Sequence, residues 1–201
     1  MNLSNKGSNC KAKQSILFNK FWYILSMEKI RIVQPDIKDA RATIEVQYKT
    51  WLDTYPNEKV GITVNDIEDR YKNAFDVEKI KRREQIIVNP EPNEKFIIVK
   101  DENKVIGVCF GVVYENKNQL RMIYVLPEYQ GKGIGSMLWK AILPFFDKNK
   151  DIYVELADYN EKAIGFYKKL GFVDTGKRFS DERFRMKSGS ILTEMEMRIS
   201  R

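Results

Sequence analysis

Leu120-Arg121-Met122-Ile123-Tyr124-Val125-Leu126-Pro127-Glu128-Tyr129-Gln130-Gly131-Lys132-Gly133-Ile134-Gly135-Ser136 joins two kinds of periodicity. Leu120 to Val125 is an apolar, β-prone segment stopped by Pro127, whereas Ile134, Met137, Leu138, Ala141 and Phe145 recur at steps of three and four and predict a helix. Between them lie three glycines at alternate positions. Glycine lets backbone approach a ligand closely, and a helix start behind it presents unpaired amides and the positive end of a dipole. The junction reads as an anion cradle, or simply as the turn that a strand-to-helix change requires. Its GxGxG spacing is not the GxGxxG of a dinucleotide fingerprint, and no GK[ST] follows for a P-loop.

Upstream, Ile30 to Val33 predicts a first strand ended by Pro35. Asp36 is a candidate N-cap for a helix marked by Ile37, Ala40, Ile44, Tyr48, Trp51, Leu52 and Tyr55 and closed by Pro56. Helical stretches are also expected from Val64 to Phe75 and from Val77 to Val88, before the loop Asn89-Pro90-Glu91-Pro92-Asn93. Phe96 to Val99 and Val105 to Tyr114 flank the turn Asp101-Glu102-Asn103-Lys104 and read as a hairpin. Downstream, Ile152 to Leu156 is a strand, Ala163, Phe166, Tyr167 and Leu170 mark a helix ended by Gly171, and Phe172-Val173 and Ile191 to Ile199 are strands. This order predicts one α+β domain, a mixed and mostly antiparallel sheet flanked by helices, with a parallel step from Leu120 to Leu156.

Composition bounds the chemistry. At 201 residues with 43% hydrophobic and 31% charged residues, the chain is globular rather than disordered. A chain of this length buries on the order of 70% of its extended surface and needs no metal or disulfide to hold a core. The two cysteines, Cys10 and Cys109, lack paired spacing, so a reducing, cytoplasmic setting is expected. The absence of histidine excludes imidazole triads and HExxH zinc sites. Residues 1–26 carry four lysines and no acid, which leaves +3 of the net +7 to residues 27–201. They read as an extension dispensable for the fold, as a docking amphipathic helix, or as a membrane-surface anchor, with the domain itself spanning 27–201. No basic cluster with interleaved aromatics points to nucleic acid, and no apolar stretch approaches the ~20 residues of a membrane span.

Residues 120–172 closely resemble the GNAT superfamily of acetyl-CoA-dependent N-acetyltransferases. The resemblance rests on Val125-Leu126-Pro127, Gln130 to Gly135, then Asn160 and Ala163 followed by Phe166-Tyr167-Lys168-Lys169-Leu170-Gly171-Phe172. It implies a GNAT-type fold with a splayed parallel strand pair, acetyl-CoA as cosubstrate, no metal, and an amine acceptor on a small molecule, peptide or protein that attacks directly in a ternary complex. It also leaves open an acyl-CoA-binding module without turnover, and a homodimer. By resemblance, the backbone of Ile123 and Val125 contacts the pantetheine, and the amides of Gln130, Gly131, Lys132, Gly133, Ile134, Gly135 and Ser136 receive the pyrophosphate. Lys132 adds a cation there or is an ordinary surface lysine. Tyr167, on one helical face with Asn160 and Ala163, stands where the family keeps the phenol that serves the leaving thiolate. Asn160 caps its helix or bonds the pantetheine arm. The family's glutamate base is replaced by Gln119, which leaves Glu155 as the candidate base, with Asp158 behind it. Trp51 and Tyr55 are expected in the acceptor wall or in helix packing.

Overall fold

The computed structural model describes residues 29–201, so the extension and the domain start at residue 27 lie outside the described residues. Strand β1 (Ile30–Val33) leads through a 3-10 turn, capped by Asp36 and Asp39, into α1 (Ala40–Thr54). Asp36 therefore caps the turn, and the α-helix proper begins later than the spacing predicts. Helix α2 (Val64–Tyr71) stops short of Phe75, and α3 (Val77–Val88) follows it. Strands β2 (Glu94–Asp101), β3 (Lys104–Val113) and β4 (Asn118–Val125) form an antiparallel meander. Then come α4 (Ile134–Ile142), β5 (Ile152–Ala157), α5 (Glu161–Lys169), β6 (Val173–Arg185) and β7 (Ile191–Ile199).

Among the described residues one sheet runs β1-β2-β3-β4-β5-β7-β6, and only β4 and β5 pair in parallel. Strand β6 is far longer than the Phe172-Val173 of the sequence reading. Among the described residues it pairs with β7 alone, at the sheet edge, and its residues are mostly exposed and charged. A strand with so little buried face has no apolar alternation to betray it.

The two sheet faces are told apart by β3. A side chain at Gly107 would meet Leu138 and Ile134 of α4, and one at Gly111 would meet Ile142 and Phe146. Helix α4 therefore lies against that face almost on the backbone. Leu138 and Ile142 are fully buried there, each burial contributing roughly 1.5–3 kcal/mol. Helix α5 joins the same layer, with the Phe166 ring against Gly135 and Tyr167 packed edge-on to Phe172. The opposite face is covered by α1. There Trp51, Tyr55, Ile62, Ile67, Ala157, Met186 and Leu192 form a second cluster.

Candidate active site

Strands β4 and β5 pair through only three positions, Asn118↔Ile152, Gln119↔Tyr153 and Leu120↔Val154. The next residue of β4 is a bulge: Phe110 pairs with Met122 and Gly111 with Leu120, so Arg121 has no partner on β3. A bulge bends and over-twists its strand, and here it coincides with the point where β4 leaves β5. Beyond it β4 still pairs with β3, and β5 with β7 as far as Ala157↔Glu194. The Leu126 amide donates to the Ile106 carbonyl. Antiparallel alternation then turns the amides and carbonyls of Ile123 and Val125 away from β3, into the gap. The Val125 carbonyl is already engaged, accepting from Gln130 Nε2 at 3.1 Å and Thr50 Oγ1 at 3.3 Å.

The glycine loop closes one end of this gap. Gly131 and Gly133 adopt φ of 73° and 82°, a left-handed conformation that other residues rarely accept. A side chain at either would meet nothing within 4 Å among the described residues, so the loop faces away from the rest of the described fold. Gly135 differs: a Cβ there would lie 3.2 Å from the Phe166 ring, so its smallness serves packing. The first intrahelical bond of α4 runs from the Met137 amide to the Gly133 carbonyl. The amides of Ile134, Gly135 and Ser136 precede it and have no helical acceptor. Gln130 departs from the expected amide set, because its amide donates to the Pro127 carbonyl at 3.1 Å in the 3-10 turn. Lys132 is exposed, its ammonium 5.1 Å from the centre of the Tyr129 ring.

On α5, Asn160 is the N-cap, its Oδ1 accepting from the Ala163 amide at 3.1 Å. Tyr167 is 6% exposed and packed between Phe166 and Phe172, and its hydroxyl makes no hydrogen bond among the described residues. Burial, with the Cys109 and Tyr124 groups as lesser causes, raises its pKa far above the ordinary phenol value. The hydroxyl therefore keeps its proton at any working pH.

On the acceptor side, Trp51 and Tyr55 take the helix-packing alternative. Trp51 and Tyr55 are only 5% and 8% exposed, their rings 4.2 Å apart. The Trp51 indole donates to the Tyr124 hydroxyl at 3.1 Å and its face carries the Arg70 guanidinium. Both therefore sit inside the second cluster rather than on an open wall, because α1 must bury its aromatic stripe to cover the sheet. Gln119 and Glu155 do come together, with Arg121, around a cavity of about 430 Å³. Gln119 is 1% exposed and its Oε1 accepts no hydrogen bond among the described residues. Asp158 is not among the residues lining that cavity.

A residue absent from the sequence reading, Glu194 of β7, stands opposite Ala157. Its only trace in the sequence is the alternation of Leu192, Glu194 and Glu196 with Met195 and Met197, which by itself describes an ordinary solvated strand face. Among the described residues, no group of histidine, cysteine or carboxylate side chains could hold a metal, and no helix is long and apolar enough to cross a membrane.

Residues 62–172 match the acetyltransferase (GNAT) family model. Over 78 residues the chain is 36% identical to thialysine N-epsilon-acetyltransferase of Sus scrofa, a match covering 38% of this chain and 45% of that protein. Over 115 residues it is 24% identical to spermidine N(1)-acetyltransferase of Vibrio cholerae serotype O1, covering 54% and 64% respectively. The matches thus span less than two thirds of either relative. The fold is shared with the PaiA N-acetyltransferase of Thermoplasma acidophilum in complex with coenzyme A, at a TM-score of 0.59, 24% identity and coverage of 82% of this chain and 97% of that one. It is shared also with a GNAT-family acetyltransferase of Streptococcus pneumoniae, at a TM-score of 0.61, 15% identity and coverage of 85% and 98%. With the family pattern running through the bulged strand, the glycine loop and the Phe-Tyr helix, over more than half of its length, the chain belongs to the acetyltransferase (GNAT) family.

Proposed function

We propose that this protein is an N-acetyltransferase that moves the acetyl group of acetyl-CoA to a primary amine by direct attack. The observation that carries this reading is the gap between β4 and β5 beyond Leu120↔Val154, open beside a glycine loop whose cradle is empty of described side chains. An extended, amide-bearing arm fits such a gap as a substitute strand. In this reading the arm lies along Ile123 and the Val125 amide, and the pyrophosphate meets the amides from Gly131 to Ser136, with Lys132 nearby. Asn160 and Ala163 border the arm, and Tyr167 faces the sulfur.

The nitrogen attacks the thioester carbon, the C–N bond forms, and the C–S bond breaks as the thiolate leaves. Tyr167, with its pKa raised by burial, is a weaker acid than the thiol it faces. Its service is a hydrogen bond to the sulfur as charge develops there, and a relay by which the second nitrogen proton reaches the thiolate. The cavity that Glu155 lines also carries Glu115, Lys117 and Arg121, so its charge is mixed, and the acceptor is read as a primary amine from the family pattern. Thialysine and spermidine, which name the acceptors of two relatives, are amines of that kind.

Release of free CoA thiol from acetyl-CoA, in the presence of spermidine, thialysine and an alanine-terminated peptide in turn, is the test. Amine-dependent release supports the reading. Stabilisation by acetyl-CoA with no release by any amine would favour a binding module instead.

A further inference from the structure

The cavity of about 430 Å³ lies where the two parallel strands part: Arg121 follows Leu120 and Glu155 follows Val154, the last pair that joins β4 to β5. It belongs to the smaller ligand pockets, which run from roughly 300 to 1,000 Å³. Four of the residues lining it are charged, with both signs present: Glu115 and Lys117 from the β3–β4 loop, Arg121 from the bulge, and Glu155 from β5. Among the described residues none of these four side chains enters an ion pair or a hydrogen bond; Lys117 only rests its ammonium 5.3 Å from the centre of the Tyr153 ring. Strand β6 of the same sheet behaves oppositely. There Arg178 pairs with Asp174, Arg183 with Asp181, Arg185 with Glu182, and Lys177 with Glu196 of β7. Glu194, opposite Ala157, lies further along β5 and does not line the cavity.

We infer that the acceptor is an amino acid bound as a zwitterion, its carboxylate on Arg121 with Lys117 behind, and its ammonium on Glu155 with Glu115 behind. The inference rests on the acetyl-transfer reading above and names the acceptor of that same site. It needs no further reactant: an amine of the amino acid attacks the thioester carbon, and CoA thiol leaves as in that reading.

Opposite charges around one cavity attract, yet these four stay apart, and a molecule that carries both charges answers both signs at once. The guanidinium is a planar fork that meets a carboxylate through two parallel bonds, and Arg121 stands on the bulge, the kind of irregularity that re-aims a side chain beside an active site. Arg121 and Glu155 each lie one residue past the last rung, so they hold the two ends of a small dipolar molecule beside the gap. Other amines fit less well. The two acids and two bases cancel, so nothing draws in a polycation such as spermidine, and Arg121 and Lys117 repel its ammonium groups. A peptide N-terminus brings an ammonium and no neighbouring carboxylate, which leaves the guanidinium unanswered.

Alanine, lysine and thialysine, each beside its methyl ester, test this with the whole protein and acetyl-CoA. The ester keeps every amine and loses only the carboxylate charge. At least one free acid should exceed both its ester and spermidine in kcat/KM by about 10-fold or more, the loss expected when a charge-assisted bond goes. Arg121→Gln should bring that acid down to the level of its ester, and Arg121→Lys, which keeps the charge without the fork, should fall between. A rise in melting temperature with acetyl-CoA shows that both variants are folded. Calorimetry with the free acid as titrant, in the presence of CoA, reads the site without turnover: Arg121→Gln should bind about 10-fold or more weakly than wild type. An ester or spermidine used as well as the best free acid overturns the proposal from the wild-type protein alone, and so does an acid-to-ester difference that survives Arg121→Gln. Acetyl transfer itself stands in both cases. Transfer to no amine overturns the acetyl-transfer reading, and the acceptor role of the cavity with it.

Discussion

Tyr167 shows how burial and chemistry pull on one side chain. Its ring is a core element, set between Phe166 and Phe172, so a change that keeps the ring should keep the fold. Tyr167→Phe removes only a hydroxyl that has no partner among the described residues. We expect turnover to fall about 100-fold or more with acetyl-CoA affinity little altered, because the lost bond acts on charge present only as the thiolate leaves. Single-turnover rates beside a binding isotherm check this, and an unchanged rate with chemistry limiting would make Tyr167 a core residue only. Gly133 makes the complementary case. Its positive φ strains any replacement by about 1–2 kcal/mol, and it faces away from the rest of the described fold. Gly133→Val should therefore fold with a modest loss and fail to bind acetyl-CoA, which calorimetry with acetyl-CoA as titrant would register; binding at wild-type affinity would mean the loop is a turn and nothing more.

At the scale of elements, the acceptor side is tied together by Asp66 in the first turn of α2. It accepts from the Thr63 amide and hydroxyl, each at 2.8 Å, in a capping box, and its other oxygen accepts from the Ser188 amide at 2.7 Å in the β6–β7 turn. Burial opposes ionisation here, but these donors outweigh it and hold the pKa at about 2. Asp66→Ala leaves the cap open and the Ser188 amide unpaired, a loss on the order of 2 kcal/mol. For a domain of this size that lowers the melting temperature by roughly 4–8 °C. The sign with pH follows from the depressed value: the contribution is whole above the unfolded carboxyl pKa of about 3.9 and is lost as pH falls toward about 2. Melting curves of the two proteins should therefore converge in acid, and a gap that stays constant down to about pH 2 would refute this account.

For the whole molecule, the splayed strands, the glycine loop and α5 come from separated parts of the chain and should respond to acetyl-CoA as one body. At 100 times the dissociation constant the ligand should add roughly 2.7 kcal/mol to stability. No rise in melting temperature at saturation would remove the basis for the site. The residues from Leu120 to Phe172 were enough to indicate the fold class, the family and the loop, because strand period, helix period, glycine spacing and the Phe-Tyr pair are all local patterns carried by consecutive residues. Other features became visible only when strands were laid side by side. The bulge at Arg121 is a mismatch of register between two strands, and neither strand shows it alone. That Gln130 has no amide to offer, and that Gly135 makes room for Phe166, depend on neighbours distant from the loop's own pattern. Trp51 and Tyr55 carry the same helical spacing whether they line a cleft or fill a core, and only the packing of α1 on the sheet put them inside. The meeting of Glu155 and Gln119 at one cavity is likewise a tertiary event. A carboxylate on an alternating strand looks solvated until the next strand parts from it, and the free energy of burying its charge is set by what then surrounds it.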